Sequence, residues 1–175
     1  IPPTPTAAEP DIGVRMFAEI NASMAKITGV PITNANVVTT YNTVKQQLPG
    51  TASVETFVSA QQMAVAQLAI EYCSELVDST SLRSAFFPAF ANFGVGVSAA
   101  FDTTTERDQI IDPLYANIVG VGMQSQPDET AMKDELDALI ALLSSRHSSG
   151  TATDTQKIVK ATCAAALGSA AVLVQ

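Results

Sequence analysis

The 175 residues hold only one histidine and two cysteines, which leaves little toward metal ligation by imidazole or thiolate, or toward a nucleophile activated by histidine. The histidine, His147, stands in "SSRHSSG" among serines, with no acid placed in sequence to orient it as a triad requires. No GxSxG, HExxH, Walker loop, GxGxxG or CxxCH occurs, so hydrolase, zinc-protease, nucleotide and c-type haem readings lack their residues. Two cysteines and one histidine also fall short of a four-ligand structural zinc set. A b-type haem would need Met16 or Met24 opposite His147, but His147 is expected in a loop and not on an inward helix face. The acidic runs "FDTTTERDQIID" and "PDETAMKDELD" lack the alternating Asp, Asn and Gly of a calcium loop and read as helix starts and solvated faces. The expectation is therefore no catalytic residue, no metal and no cofactor.

Positive charge is scarce as well. Nine Lys and Arg stand against 17 Asp and Glu, a net charge of −8, with no basic cluster. Such a chain repels phosphate backbones and anionic lipid surfaces, which removes nucleic acid and peripheral membrane binding from the expected partners. The longest apolar run, Ala161 to Val174, is interrupted by Thr162 and Ser169 and falls short of the ~20 residues that cross a bilayer. It reads as a buried core helix. The chain opens "IPPTPTAAEP" without Met and without the basic start and apolar run of a signal peptide, which suggests a processed protein or one piece of a longer polypeptide.

What is present is a packed globular composition, 47% hydrophobic and 15% charged, of a length suited to one domain. Its surface is left largely to Ser, Thr, Asn and Gln, a pattern common on exported proteins. Residues 1–10, with Pro2, Pro3, Pro5 and Pro10, are expected as an extended lead or linker, and 11–175 as a helical domain. Apolar steps of three and four predict a first helix from Ile12 to Ile27 and a second through Val37, Val38, Tyr41, Val44 and Leu48, capped by Thr33 or Asn34. From Ser53 to about Val77 the pattern leaves almost no polar face, which predicts a central helix buried nearly all round. "SLRSAFFPAFANFGVGVSAAFDTTT" carries five of the seven phenylalanines and is expected to be irregular and folded over the core. Helical period resumes through Ile110, Ile111, Leu114, Ile118 and Val121. It continues from Pro127 to Arg146 with Met132, Leu136, Leu139, Ile140 and Leu143 inside, and in a last helix capped by Asp154 and running to the C-terminus. The fold class is all-α: a single-domain bundle of about six helices around a buried central one.

Both cysteines fall on predicted core positions, Cys73 near the end of the central helix and Cys163 early in the last. Two buried thiols would satisfy this. The even count and the signs of export favour a disulfide, which would close about 90 residues and contribute roughly 4–5 kcal/mol through chain entropy. A redox role would want CxxC or an exposed electropositive cysteine, and the sequence has neither. The last helix also sets small residues on adjoining faces: Ala161, Ala165 and Ser169, and beside them Ala164, Gly168 and Ala171. These serve close packing inside the bundle, or a seam for another subunit. Asn21-Ala22-Ser23 matches a glycosylation acceptor inside a predicted helix.

The stretches "FAEINASMAKITGVP", "KQQLP", "QMAVAQLAIEYCSELVD", "FFPAF" and "KIVKATCAAALGSAAVLVQ" together resemble an Ala-rich helical domain of uncharacterised function in large exported bacterial proteins, sometimes beside laminin-G-like modules. The resemblance covers nearly all of the chain after residue 10. It implies export and membership of a surface assembly, and it transfers no functional residue. Three function classes follow: a non-catalytic structural or interaction domain of an exported assembly, with other protein subunits or a second copy as partners; a binding module for a small apolar or carbohydrate ligand; and, behind these, an enzyme, redox or haem protein.

Overall fold

A computed structural model describes residues 15–46, 59–118, 128–169 and 172. Among them the chain is all-helical with no strand: α1 Phe17–Thr28, α2 Ala35–Lys45, α3 Ser59–Asp78, α4 Thr80–Phe86, a 3-10 turn Asn92–Gly94, α5 Val97–Ala100, α6 Thr104–Ile118, α7 Glu129–Arg146 and α8 Ala152–Leu167. The six expected helices are all there in part. The expected lead 1–10 lies outside the described residues, as do Ile12, Leu48, residues 53–58 and Val121 of the expected helices.

Local chemistry sets the helix ends. Asn34 caps α2, its Oδ1 accepting from the N–H groups of Asn36 and Val37 at 2.9 and 3.2 Å. Asp128 does the same for α7 through Ala131 N–H at 2.9 Å. α1 ends on Gly29, the one glycine among the described residues with a positive φ, 72°, a conformation that costs other residues about 1 kcal/mol or more. Two boundaries differ from expectation. Asp154 is not the cap of α8 but sits three residues inside: Thr151 holds the cap position, and the Asp154 carboxylate reaches back to its N–H at 2.9 Å. α8 also stops at Leu167, with Gly168 as its C-cap, short of the C-terminus.

The phenylalanine-rich segment is more helical than its composition predicts. Pro88 and the glycines allow only short pieces, α4, the 3-10 turn and α5, which together bury Phe87, Phe90, Phe93 and Phe101. Their rings pack on one another, Phe90 meeting Phe93 edge-on at 4.8 Å and Phe101 in a stack at 5.7 Å. As expected, this segment folds over the core. α8 holds it there, since Thr155 Oγ1 donates to the Val95 carbonyl at 2.8 Å and Gln156 Nε2 to the Phe93 carbonyl at 3.2 Å.

The expected central role is shared: α3 packs against α1, α2, α4 and α8, while α5, α6, α7 and the 3-10 turn pack on α8, and the most extensive contact is that of α3 with α8. Leu68, Ala69, Tyr72, Cys73, Leu76 and Val77 are all without solvent exposure. The expectation of burial nearly all round is wrong, however: Met63 is 61% exposed and Ile70 55%. A helix turns about 100° per residue, which places these two within about 20° of each other on the side facing away from Leu68 and Tyr72. α3 shares the centre with α8 and is bare along one flank.

Candidate functional site

The two cysteines meet. Cys73 and Cys163 form a disulfide across the α3–α8 contact with Cα atoms 5.8 Å apart, closing a span of 90 residues, and both side chains are buried. α3 and α8 run antiparallel, and three contacts fix their register: the Asp78–Lys160 ion pair at 2.8 Å, the disulfide, and the approach of Gly168 to Ala69. A Cβ on Gly168 would lie 3.7 Å from the Ala69 Cβ and 3.1 Å from the Ala164 carbonyl oxygen, so only a small residue fits here without adjustment.

That geometry divides the small-residue group of the last helix. Ala164 packs against the core and Gly168 against α3, which is close packing inside the chain's own bundle. Ala161 and Ala165 face outward and are exposed. Ser169 is half-buried just beyond the helix, and the side chain of Ala171 lies outside the described residues.

His147 ends α7. Its N–H donates to the carbonyls of Leu143 and Ser144 at 3.1 and 3.2 Å, and its own carbonyl accepts from Gly150 at 2.7 Å. The imidazole stands exposed at the rim of a shallow cleft of about 210 Å³ between α7 and α8, lined also by Leu143, Asp154, Lys157, Ile158 and Ala161. Asp154 is held ionised: the Lys157 ammonium at 3.0 Å, and next the Thr151 N–H, pull its carboxyl down to about 2. Met24, one of the two methionines weighed as a haem ligand with His147, is buried in the core, and Met16 is exposed at the start of α1; neither lines this cleft. Among the described residues no three of His, Cys, Asp and Glu gather in a way that would hold a metal ion, and no helix is long and apolar enough to cross a membrane.

Asn21, the residue of the glycosylation triplet, is buried on the inner side of α1. Its Oδ1 accepts from the Tyr72 hydroxyl at 2.7 Å, and its backbone carbonyl lies 3.2 Å from the same hydroxyl. In the folded chain the Asn21 carboxamide is a buried structural contact. Burial pushes the Tyr72 phenol up to about 12.

Sequence reasoning missed this pair, because nothing in the spacing of residues 21 and 72 joins them. It also missed how the few charges are spent. Glu75 on α3 accepts from the side-chain amides of Asn34 and Asn36, both at 2.7 Å, tying down the start of α2. Arg107 on α6 pairs with Asp137 on α7 at 2.6 Å and also donates to the Phe101 carbonyl at 3.2 Å. Lys133 lies 2.8 Å from both Asp112 and Glu129, and these hydrogen bonds raise its pKa. Glu75, Arg107 and the Lys133–Asp112 pair join helix to helix, whereas the Asp154–Lys157 pair lies within α8 and, with His147, lines the cleft.

No family model, curated protein or solved structure matches the chain.

Proposed function

We propose that the chain is a non-catalytic structural or interaction domain of an assembly outside the cytoplasm, at the cell surface or beyond it. The observation that carries this is the buried Cys73–Cys163 disulfide, since such bonds form and persist in oxidising compartments. The spending of charge supports it: Arg107, Lys133, Lys157, Lys160 and Glu75 each bind a neighbouring helix or turn of the same chain. The surface poor in charge and the resemblance to domains of large exported proteins point the same way.

Fractionation of producing cells with chemical cross-linking tests the proposal. The expected result is recovery outside the cytoplasm, in an adduct larger than the chain itself. Recovery as a free cytoplasmic monomer with reduced thiols overturns it. Removing residues 1–10, the expected extended arm, should weaken association and leave the helical circular dichroism signal intact.

One feature favours a second reading, a binding module for a small apolar or carbohydrate ligand: the cleft beside His147, with Leu143, Ile158 and Ala161 in its wall. Ligand-detected NMR with simple sugars and short-chain fatty acids decides between the two, since a binding module gives saturable signals that Leu143→Ala weakens.

A further inference from the structure

The bare flank of α3 and the outward residues of α8 belong to one surface. From the disulfide, Ile70 is three residues along α3 and Ala165 is two residues along α8 in the matching direction, so the two are axially level to within about 2 Å. By the same count Ala66 is level with Ser169. Both helices bury the side that faces the core and expose Ala66, Ile70, Ala161 and Ala165 on the other. The result is a ridge, Met63 and Ile70, beside a strip of small residues, Ala161 and Ala165.

This surface is free of charge, as the stretches 27–44 and 84–101 also are; what sets it apart is that two large exposed apolar side chains, Met63 and Ile70, lie beside a strip of small residues on a neighbouring helix. None of the outward residues from Met63 to Ile70, nor any residue of 161–169, is charged. Toward the start of α8 the charges are internally paired, Asp78 with Lys160 and Asp154 with Lys157. In a chain of net charge −8 this is a face on which another acidic protein can settle without like charges meeting. A basic partner would be drawn to the acidic remainder instead. A surface that combines a bulky ridge with a parallel strip of alanines is self-complementary under a two-fold rotation, which sets the ridge of one molecule over the strip of the other. The area suffices. α8 has 16 residues, and two adjacent helices of about that length offer ~24 by ~20 Å, or about 1,000 Å² buried over two partners, the lower bound of a specific contact.

We propose that the outward face of the α3–α8 layer, with Met63, Ile70, Ala161 and Ala165, is the contact between two copies of this chain. This rests on the assembly reading and narrows it to a partner and a surface. Met63 and Ile70 are the anchors, and the alanines admit them.

Sedimentation of the oxidised full chain over about 1 to 500 μM, beside Ile70→Glu, Ala165→Glu and the control Thr39→Glu on the exposed side of α2, tests it. The expected result is a concentration-dependent dimer in the parent and the control, with association weakened about tenfold or more in the two face variants. A monomeric parent overturns the proposal, as does a dimer that both face variants keep. In the second case the assembly reading survives, because the chain still associates through another surface. A parent that is monomeric alone but cross-linked to a different protein in cells likewise removes this face and spares that reading. Should either glutamate disturb the helical signal, Ile70→Cys replaces it: oxidative cross-linking into a covalent dimer is expected well above that of Thr39→Cys, and equal cross-linking overturns the proposal.

Discussion

The α3–α8 contact and the α6–α7 contact hold the same bundle together by opposite means. The first is covalent and apolar: the Cys73–Cys163 bond, the Gly168–Ala69 approach and a stack of fully buried side chains, with one ion pair at its end. The second joins two helices through charge, Arg107 to Asp137 and Lys133 to Asp112, around Ile110, Leu114, Leu136 and Ile140. In a chain with few charges, the best-buried ion pair among the described residues, Arg107–Asp137, lies where a helix pair lacks a covalent tie. The two contacts should therefore fail under different conditions, one under reduction and one under salt or loss of a single charge.

The largest effect should come from the covalent side. Cys73→Ala with Cys163→Ala removes a constraint on a span of 90 residues, which in the chain-entropy model lowers stability by about 4–5 kcal/mol. Denaturant unfolding of the double variant against the parent measures it, and a loss under about 1 kcal/mol would mean that apolar packing alone holds α8 on α3. On the charged side, Arg107→Met leaves the Asp137 carboxylate and the Phe101 carbonyl without their donor. Because Arg107 is only 14% exposed, the expected cost is about 1.5–3 kcal/mol. Added salt should reduce the difference between this variant and the parent while leaving the double-alanine variant's deficit unchanged.

A smaller effect belongs to the polar contact inside the apolar side. Tyr72→Phe strips the Asn21 carboxamide of its donor, at about 1–2 kcal/mol near neutral pH. It also alters the alkaline limb. The Tyr72 phenol titrates near 10 when unfolded and about 12 when folded, so its contribution is complete below pH 10 and is lost as pH rises through 12. The parent should therefore lose stability over that window more steeply than Tyr72→Phe. The smallest effect is expected at His147→Ala, whose side chain is exposed beyond the end of α7. Thermal unfolding and association should both stay as in the parent, within about 0.5 kcal/mol.

Periodicity carried most of the fold, because α1, α2, α6 and α7 each present Ile, Leu, Val or Met at steps of three and four to one core. It failed where apolar residues were not a guide to burial. Met63 and Ile70 extend the apolar pattern of α3 onto its outer flank, and from sequence they are indistinguishable from Leu68 or Leu76. It failed also in the phenylalanine-rich segment, where α4 and α5 have 7 and 4 residues and are too short to show a period. The cysteine pairing was legible because only two cysteines exist and both lie on buried positions. The Tyr72–Asn21 and Arg107–Asp137 contacts were not legible, because each depends on how two helices rotate against one another, which local sequence does not encode.

Peptide mapping under non-reducing conditions, on the chain recovered from its native location, bears most directly on the stapled α3–α8 layer and on the compartment inferred from it. A single linked pair of peptides containing Cys73 and Cys163, resistant to alkylation until the chain is reduced, is the predicted result. Alkylation of both thiols without prior reduction would contradict it, taking the covalent tie out of the fold and the oxidising compartment out of the function.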